Sequence, residues 1–167
     1  MLDIELLCPA QFIEGRNKCA EPDKPSTIEP DAYIEYIPKI CCSITGINIF
    51  VTWPKITENQ VNKLTIYADY LDHPTDIVLT EGKMTFEQGE EPSEDWRAIE
   101  IAQPVVLIAH KRYWLQFSDL KTELAFYAGS KGDQILTRTK SDKGWKTKSD
   151  FLMFRIYGRV LPVAFLH

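Results

Sequence analysis

The fold of this chain is decided by the segment Arg112-Tyr-Trp-Leu-Gln-Phe-Ser118, in which large apolar side chains recur at every second position. A strand turns successive side chains to opposite faces, so residues two apart share a face. Here the shared face carries Tyr113, Leu115 and Phe117. The segment Phe151–Tyr157 repeats this period of two. Both segments therefore predict strands that bury one face in a common core.

Short segments of the same kind occur along most of the chain. We expect further strands at 40–44, 47–53, 64–70, 76–80, 84–87, 96–101, 104–109 and 123–127. The turn signals between them are Thr45-Gly46, His73-Pro74, Glu81-Gly82, 89–92, Gln103-Pro104, 129–132 and 142–144. No long helix follows any strand, which argues against a doubly wound α/β fold. The pattern predicts an all-β chain folded as a single antiparallel, jelly-roll-like β-sandwich domain.

One segment fits two descriptions. Residues 61–71 carry a helical stripe of apolar side chains, preceded at 57–60 by a sequence that matches a helix capping box. The run Thr65-Ile66-Tyr67 is rich in β-branched and aromatic residues and favours a strand. The sequence alone leaves both alternatives open.

The domain organisation follows from length and proline content. A chain of 167 residues suits one domain. Five prolines interrupt the first 38 residues, which predicts an extended N-terminal segment packed on a β-sandwich domain of residues 39–167. Within that segment we expect short strands near Ile4–Leu7 and Tyr33–Ile37.

The charge distribution excludes some functions. Residues 1–100 hold 19 acidic and 8 basic side chains, whereas residues 101–167 hold 5 acidic and 11 basic ones, for a net charge of −5. This balance argues against a nucleic-acid binder. No apolar run is long enough to cross a membrane, so we expect no membrane partner. The acidic N terminus lacks the features of a secretory signal, which predicts cytoplasmic synthesis.

All four cysteines lie in the first quarter of the chain, at Cys8, Cys19, Cys41 and Cys42. They lack the C-x2-C spacing of a zinc site. A disulfide between the Cys8/Cys19 region and the Cys41/Cys42 pair would form only in an oxidising compartment. Free, partly buried thiols are the favoured interpretation.

No catalytic signature occurs in the sequence, and the three histidines, His73, His110 and His167, are scattered. One acidic group is a candidate for calcium binding and consists of Glu87, Glu90, Glu91, Glu94 and Asp95. A second group could supply the paired carboxylates of a glycosidase and consists of Asp69, Asp72 and Asp76. Solvated acidic loops are the simpler interpretation of such clusters. We therefore predict a protein that is not an enzyme, with no metal and no cofactor.

The tryptophans offer the best case for ligand binding, because sugar rings stack on flat aromatic faces. Trp96 and Trp145 stand next to turn signals, and Lys146 and Lys148 lie beside Trp145 in a basic stretch. These four residues are the predicted glycan contacts. Trp53 and Trp114 are expected in the core, where a large aromatic side chain buries most area.

The last hundred residues resemble a known class of module. The order of Trp96, then Tyr113-Trp-Leu-Gln-Phe117, then Gly144-Trp145, then Ser149-Asp-Phe-Leu-Met-Phe-Arg-Ile-Tyr157 is similar to bacterial and phage jelly-roll domains of the choice-of-anchor type, over about 61–158. These domains occur in surface proteins and in tail or appendage proteins. The resemblance implies a β-sandwich and a component of a virion or appendage.

Together these observations predict a non-catalytic structural or interaction module of a larger assembly. Its expected partner is another protein or further copies of the chain. A carbohydrate-binding β-sandwich is the alternative, with a glycan as ligand, and a carboxylate-dependent hydrolase is the third hypothesis.

Overall fold

The protein is an all-β domain, and all pairings among its described strands are antiparallel. The computed structural model describes residues 11–15, 25–26, 32–118, 125–127, 135–141, 144–150 and 154–161, with side chains for 32–118 and 154–161. The strands are β1 (Gln11–Gly15), β2 (Pro25–Ser26), β3 (Tyr33–Tyr36), β4 (Cys42–Trp53), β5 (Gln60–Tyr70), β6 (His73–Phe86), β7 (Ser93–Leu107), β8 (Tyr113–Ser118), β9 (Ala125–Tyr127), β10 (Ile135–Ser141), β11 (Gly144–Asp150) and β12 (Phe154–Val160). The predicted all-β fold class is confirmed.

The strands follow one continuous order, β1-β12-β4-β7-β6-β5-β8-β3-β10-β11, with β9 and β2 added beside β4. The β6–β7 step is the weak point of this order, because only Gly82 and Lys83 of β6 pair with β7. Here the sheet turns over into two layers, one from β1 to β7 and the other from β6 to β11. Gly82 allows the turn: a Cβ there would lie 2.7 Å from Ile99 Cγ2.

The core lies between the two layers. Ile47, Ile49 and Ile156 approach from the first layer and face Ile34 and Leu115 of the second across a small apolar cavity. The rings of Tyr36 and Phe154 meet edge to face across the same core, with centroids 5.7 Å apart. Strands far apart in the ladder are thus packed face to face, as in a sandwich.

The chain winds through the layers as a Greek key. Strands β5, β6 and β7 form a meander, and β4 joins the start of that meander but pairs with its last strand. This arrangement, in which a strand lies beside the far end of the next three, is the unit from which jelly rolls are built. The jelly-roll-like sandwich predicted from the sequence therefore agrees with the strand order.

Three of the predicted turns are wrong, because a strand continues through each of these sites. Thr45-Gly46 is a β-bulge inside β4, opposite Tyr157 and Gly158. Glu81-Gly82 lies within β6, and Gln103-Pro104 is an unpaired bulge within β7. The extra residue Thr45 reverses the alternation of inward and outward side chains in β4. As a result Cys42 and Ile44 before it and Ile47 after it all face the core.

A fourth predicted turn is displaced. The β5–β6 hairpin turns at Leu71 and Asp72, and the predicted turn pair His73-Pro74 begins β6 instead. Of residues 61–71, which the sequence left open between helix and strand, 61–70 lie in β5 and Leu71 lies in the turn that follows it.

The predicted boundary after residue 38 is crossed by strand pairing. β3 pairs with both β8 and β10 inside the second layer, and β1 and β2 pair with β12 and β9. The expected strand near Ile4–Leu7 lies outside the described residues. The described ranges contain no helix with the length and hydropathy that a membrane span requires.

Candidate interaction surface

The two ends of the sandwich differ in how they are finished. At one end, the loop after β4 (residues 54–59) and the loop after β6 (residues 87–92) are bonded to each other through the backbone. Ile56 N–H donates to Glu90 O at 3.0 Å, and Gly89 N–H donates to Ile56 O at 2.8 Å. Gln88 N–H donates to Asn59 Oδ1 at 2.7 Å. We call this the closed end.

A partly buried ion pair between Arg97 and Glu90 stabilises the closed end. Arg97 donates from Nη1 and Nη2 to the two carboxylate oxygens of Glu90 at 2.6 and 2.7 Å. The guanidinium also lies over the rings of Phe86 and Trp53, at 4.1 and 5.0 Å from their centroids. The hydrogen bond from Arg97 lowers the pKa of Glu90, against the opposing effect of burial. Bidentate, partly desolvated pairs of this kind are among the stronger ionic contacts in proteins.

At the other end, four chain segments converge, as the strand register shows. Tyr113 at the start of β8 pairs with both Tyr36 and Ala68, which brings together the loop after β3, the β5–β6 turn and the loop before β8. Cys42 pairs with Leu107 and Val160, which adds the end of β12. The backbone bond from His110 N–H to Pro38 O, 2.7 Å long, ties two of these loops together.

Exposed apolar side chains are concentrated at this second end. Ten large apolar residues are exposed in the described part of the chain, and Val61, near the closed end, is the single exception to the clustering. We name the other nine the apolar end surface. They are Ile37, Ile40, Tyr70, Leu71, Ile77, Val78, Val106, Ile108 and Val160. Scattered exposed apolar residues are normal, but a concentration at one place marks an interaction site.

The backbone of this end is also strained. Leu71, Asp72 and His110 are the non-glycine residues with positive φ among those described, at 50°, 66° and 65°. All three lie in the loops of the apolar end surface. Leu71 is the extreme case, because it combines a left-handed backbone with a side chain that is 72% exposed. Strain of this kind persists where the surroundings enforce it, and it clusters at functional sites.

Polar contacts beneath the surface hold its loops in place. Arg112 donates from Nε to Glu35 Oε2 at 2.6 Å and also pairs with Asp72 of the hairpin turn. Burial favours loss of the Arg112 proton, but the two carboxylates outweigh it and raise the pKa of Arg112. Ile108 N–H donates to the Tyr113 hydroxyl at 2.9 Å, and burial raises the pKa of that hydroxyl. These contacts therefore hold the loops of the apolar end surface in position.

The predicted glycan contacts do not come together at this surface. Trp96 is the fourth residue of β7, just after the loop of residues 87–92, and is half-buried. The Phe50 ring packs against it edge to face at 5.4 Å, and Arg155 Cζ stacks 3.9 Å from its centroid. One face of this ring is therefore already occupied by a cation.

The other three predicted contacts, Trp145, Lys146 and Lys148, lie on β11, whose side chains are outside the described residues. The backbone of β11 pairs with β10 at the far end of the second layer, and five strands separate it from β7 in the ladder. Neither described pairing nor described contacts link this strand to Trp96. The grouping of these residues as a site stays a prediction.

Trp53 and Trp114 are buried, as the sequence analysis expected. Trp114 Nε1 donates to Asp69 Oδ1 at 2.8 Å, and Trp53 Nε1 donates to Glu91 O at 3.1 Å. Both indoles thus place their polar atom on an acceptor, which a buried tryptophan requires.

Three members of the two acidic groups form ion pairs with basic side chains. Glu90 pairs with Arg97, Glu91 with Lys55 at 3.6 Å, and Asp72 with Arg112. Within the described ranges, no three histidine, cysteine or acidic side chains are grouped so that they could hold a metal ion.

The described histidines and cysteines form no common centre. His73, the first residue of β6, and His110, in the loop before β8, are both exposed, and His167 lies outside the described residues. Cys42 is fully buried, and the Cys41 sulfur accepts from Ala109 N–H at 3.1 Å. Cys8 and Cys19 lie outside the described residues.

The sequence analysis missed the apolar end surface. Its members come from four separate segments, and their apolar character looks like that of inward-facing positions. Comparison with protein-family models finds no match, and comparison with curated proteins finds no significantly similar chain.

Proposed function

We propose that this protein is a non-catalytic interaction module that binds another protein surface through its apolar end surface. The observation that carries the proposal is the placement of nine of the ten exposed large apolar side chains at one end of the sandwich. Such side chains gain free energy when a partner removes them from water, at roughly 25 cal/mol per Å².

Two further features support this proposal. The loops that present the apolar side chains are fixed by Arg112 and Tyr113, so little conformational entropy is lost when a partner binds. The hairpin tip carries Leu71 in a left-handed conformation, where a turn of this type ordinarily has Asn or Gly. An exposed leucine at such a position is expected if its side chain contacts a partner. A module of a larger assembly, such as a tail or appendage, would use a surface of this kind.

Carbohydrate binding is the weaker candidate. Its best described residue, Trp96, has Arg155 stacked on one face, so a sugar ring would have to displace that cation or use the other face. No contact among the described residues favours a glycan over a protein partner.

A photo-crosslinking experiment tests the proposed function. A photoreactive phenylalanine analogue is placed at Leu71 or, as the matched control, at Val61, which is also exposed and apolar but lies near the closed end. Irradiation in cells that make the protein should give a discrete protein adduct from position 71 and none from position 61. Equal labelling at both positions, or no protein adduct at 71, would overturn the proposal.

A further inference from the structure

We infer that the outer face of the second layer binds an acidic polysaccharide. The strand register carries this inference, because it places aromatic residues of three strands on one line and two bases beside them. The site contains none of the nine residues of the apolar end surface, and it does not contain Trp96. It is therefore independent both of the proposed function and of its weaker candidate.

The outer face of the second layer is defined by five neighbouring strands. The pairings that join β5, β8, β3, β10 and β11 show no register shift. Leu115 of β8 is buried in the core, and so are Ile34 and Ile66, which pair with it on either side. Because side chains alternate along a strand, the residues next to these three lie on the outer face.

Two tyrosines form the first part of the line. Tyr67 of β5 pairs with Trp114 of β8. Glu35 of β3 pairs with Trp114 from the other side, and Tyr33 lies two residues before Glu35. The rings of Tyr33 and Tyr67 are partly exposed and meet at 63° with centroids 5.7 Å apart, so they form an aromatic corner. Trp114 is fully buried with its indole N–H on Asp69, so a ligand would not reach it.

Trp145 and two bases extend the line across β10 and β11. Arg138 of β10 pairs with Tyr33, which places this base on the outer face. Lys140, two residues further along β10, shares that face and pairs with Trp145. From Tyr67 to Tyr33, and again from Tyr33 to Trp145, the line crosses two strands and advances two residues. Each of these steps spans roughly 12 Å between Cα atoms at ordinary strand spacing.

The register separates the other lysines of β11 from this line. Lys148 pairs with Thr137, and Thr137 pairs with Ile34, which is buried in the core. Lys146 lies two residues from Lys148 and shares its face. Both lysines are therefore on the opposite face from Trp145, although they follow it closely in the sequence. Lysines at a sheet edge prevent pairing with other chains, which accounts for these two without a ligand.

The residue types on the line favour an acidic polysaccharide. The C–H faces of sugar rings stack on aromatic rings, and arginine and lysine bind carboxylates. Two acids on the same face already have partners, since Glu35 accepts from Arg112 and Asp69 accepts from the Trp114 indole. An anionic ligand would therefore meet the two bases with little opposing charge.

A single-stranded nucleic acid fits this face less well. Such strands also stack on aromatic rings, but their affinity depends on many phosphate contacts along a basic groove. Here the line has two bases, and the chain carries a net charge of −5. A polysaccharide in which neutral and acidic sugars alternate has more widely spaced charges, so two bases suit it better.

Affinity electrophoresis of the full chain tests the inference. Native gels contain hyaluronate, polygalacturonate or neutral dextran, and the retardation of the protein gives a Kd. We expect at least one of the two acidic polymers to bind the wild-type protein, and dextran not to bind it. Trp145→Ala, and the double variant Arg138→Gln with Lys140→Gln, should each raise the Kd at least about tenfold. Circular dichroism verifies that each variant is folded.

The matched control is the double variant Lys146→Gln with Lys148→Gln, which removes the same charge from the other face of the same hairpin. Its Kd should stay within about twofold of wild type, and Trp96→Ala should leave the Kd equally unchanged. An equal loss of affinity in the control would show that net charge alone attracts the polymer and would overturn the site. So would a wild-type protein that binds neither acidic polymer, or one that binds dextran as well as it binds them. Complete displacement of the polysaccharide by single-stranded oligothymidylate at equal charge concentration would assign the face to a nucleic acid instead.

Discussion

Leu71 has a backbone conformation that leucine ordinarily avoids. A two-residue hairpin with positive φ at both turn positions ordinarily uses Asn-Gly or Asp-Gly. Here Leu71 and Asp72 occupy those positions. The left-handed conformation costs an ordinary side chain about 1–2 kcal/mol, whereas Asn tolerates it. The protein therefore carries a destabilising residue at its most exposed tip.

We expect Leu71→Asn to raise the free energy of unfolding by about 1 kcal/mol, because it relieves this strain and removes an exposed apolar group. Urea denaturation measures the change. The matched control, Val61→Asn, replaces an exposed apolar residue on an extended backbone and should give no gain. A loss of stability in Leu71→Asn would show that the leucine packs within its own chain.

Residue-level reasoning from the sequence could not find this site. The pair Leu71-Asp72 has no turn signature, and the stronger signal His73-Pro74 drew the predicted turn two residues onward. Thr65, Ile66 and Tyr67 indicated the correct state for β5, because β-branched and aromatic residues pack well on a pleated surface. Local preference was therefore informative within strands and misleading at the tip.

Among the elements, β4, β6 and β7 are longer than their sequences suggest. Each contains a glycine or proline that ordinarily ends a strand. Gly82 is instead a point where β6 and β7 approach closely, and Gly158 of β12 faces the bulge of β4, where a Cβ would overlap the Ser43 carbonyl. A glycine in a strand can mark a bulge or a close approach as well as a turn, and sequence alone does not separate these.

The Arg97–Glu90 pair gives the closed end a pH dependence. The folded-state pKa of Glu90 lies below its ordinary value of 4.5, so the stabilisation is present above that value and is lost as the pH falls through the folded-state pKa. We expect Glu90→Gln to lower the free energy of unfolding at neutral pH by about 1–2 kcal/mol. It should also flatten the decline of stability in acid.

Urea denaturation of both proteins between neutral pH and pH 3 measures this effect. Glu100→Gln is the matched control, since Glu100 is an exposed glutamate of β7 for which the structure shows no ion pair. It should leave both the neutral stability and the acid decline near those of wild type. Parallel acid curves for wild type and Glu90→Gln would show that this carboxylate does not stabilise the closed end.

At the scale of the molecule, the two layers and their order follow from long-range pairing that no local pattern contains. The sequence predicted an antiparallel sandwich correctly, because period-two segments separated by turn residues have few other solutions. It could not predict which end would keep apolar side chains exposed. Inward and outward positions alternate in the same way at both ends, and only the register of β3, β5, β7 and β12 brings these positions together.

The placement of β12 has a consequence for how the protein is made. Residues 42–49 of β4 pair with β12, and the Thr45 hydroxyl donates to the Tyr157 carbonyl oxygen, 112 positions later. While the ribosome is still adding the residues of β12, this part of β4 has no neighbour on one side. The nascent chain therefore cannot complete this layer until translation has passed β12. During that interval the unpaired edge of β4 can pair with the unfinished chain of another ribosome, and the faster β12 is made, the shorter that interval is.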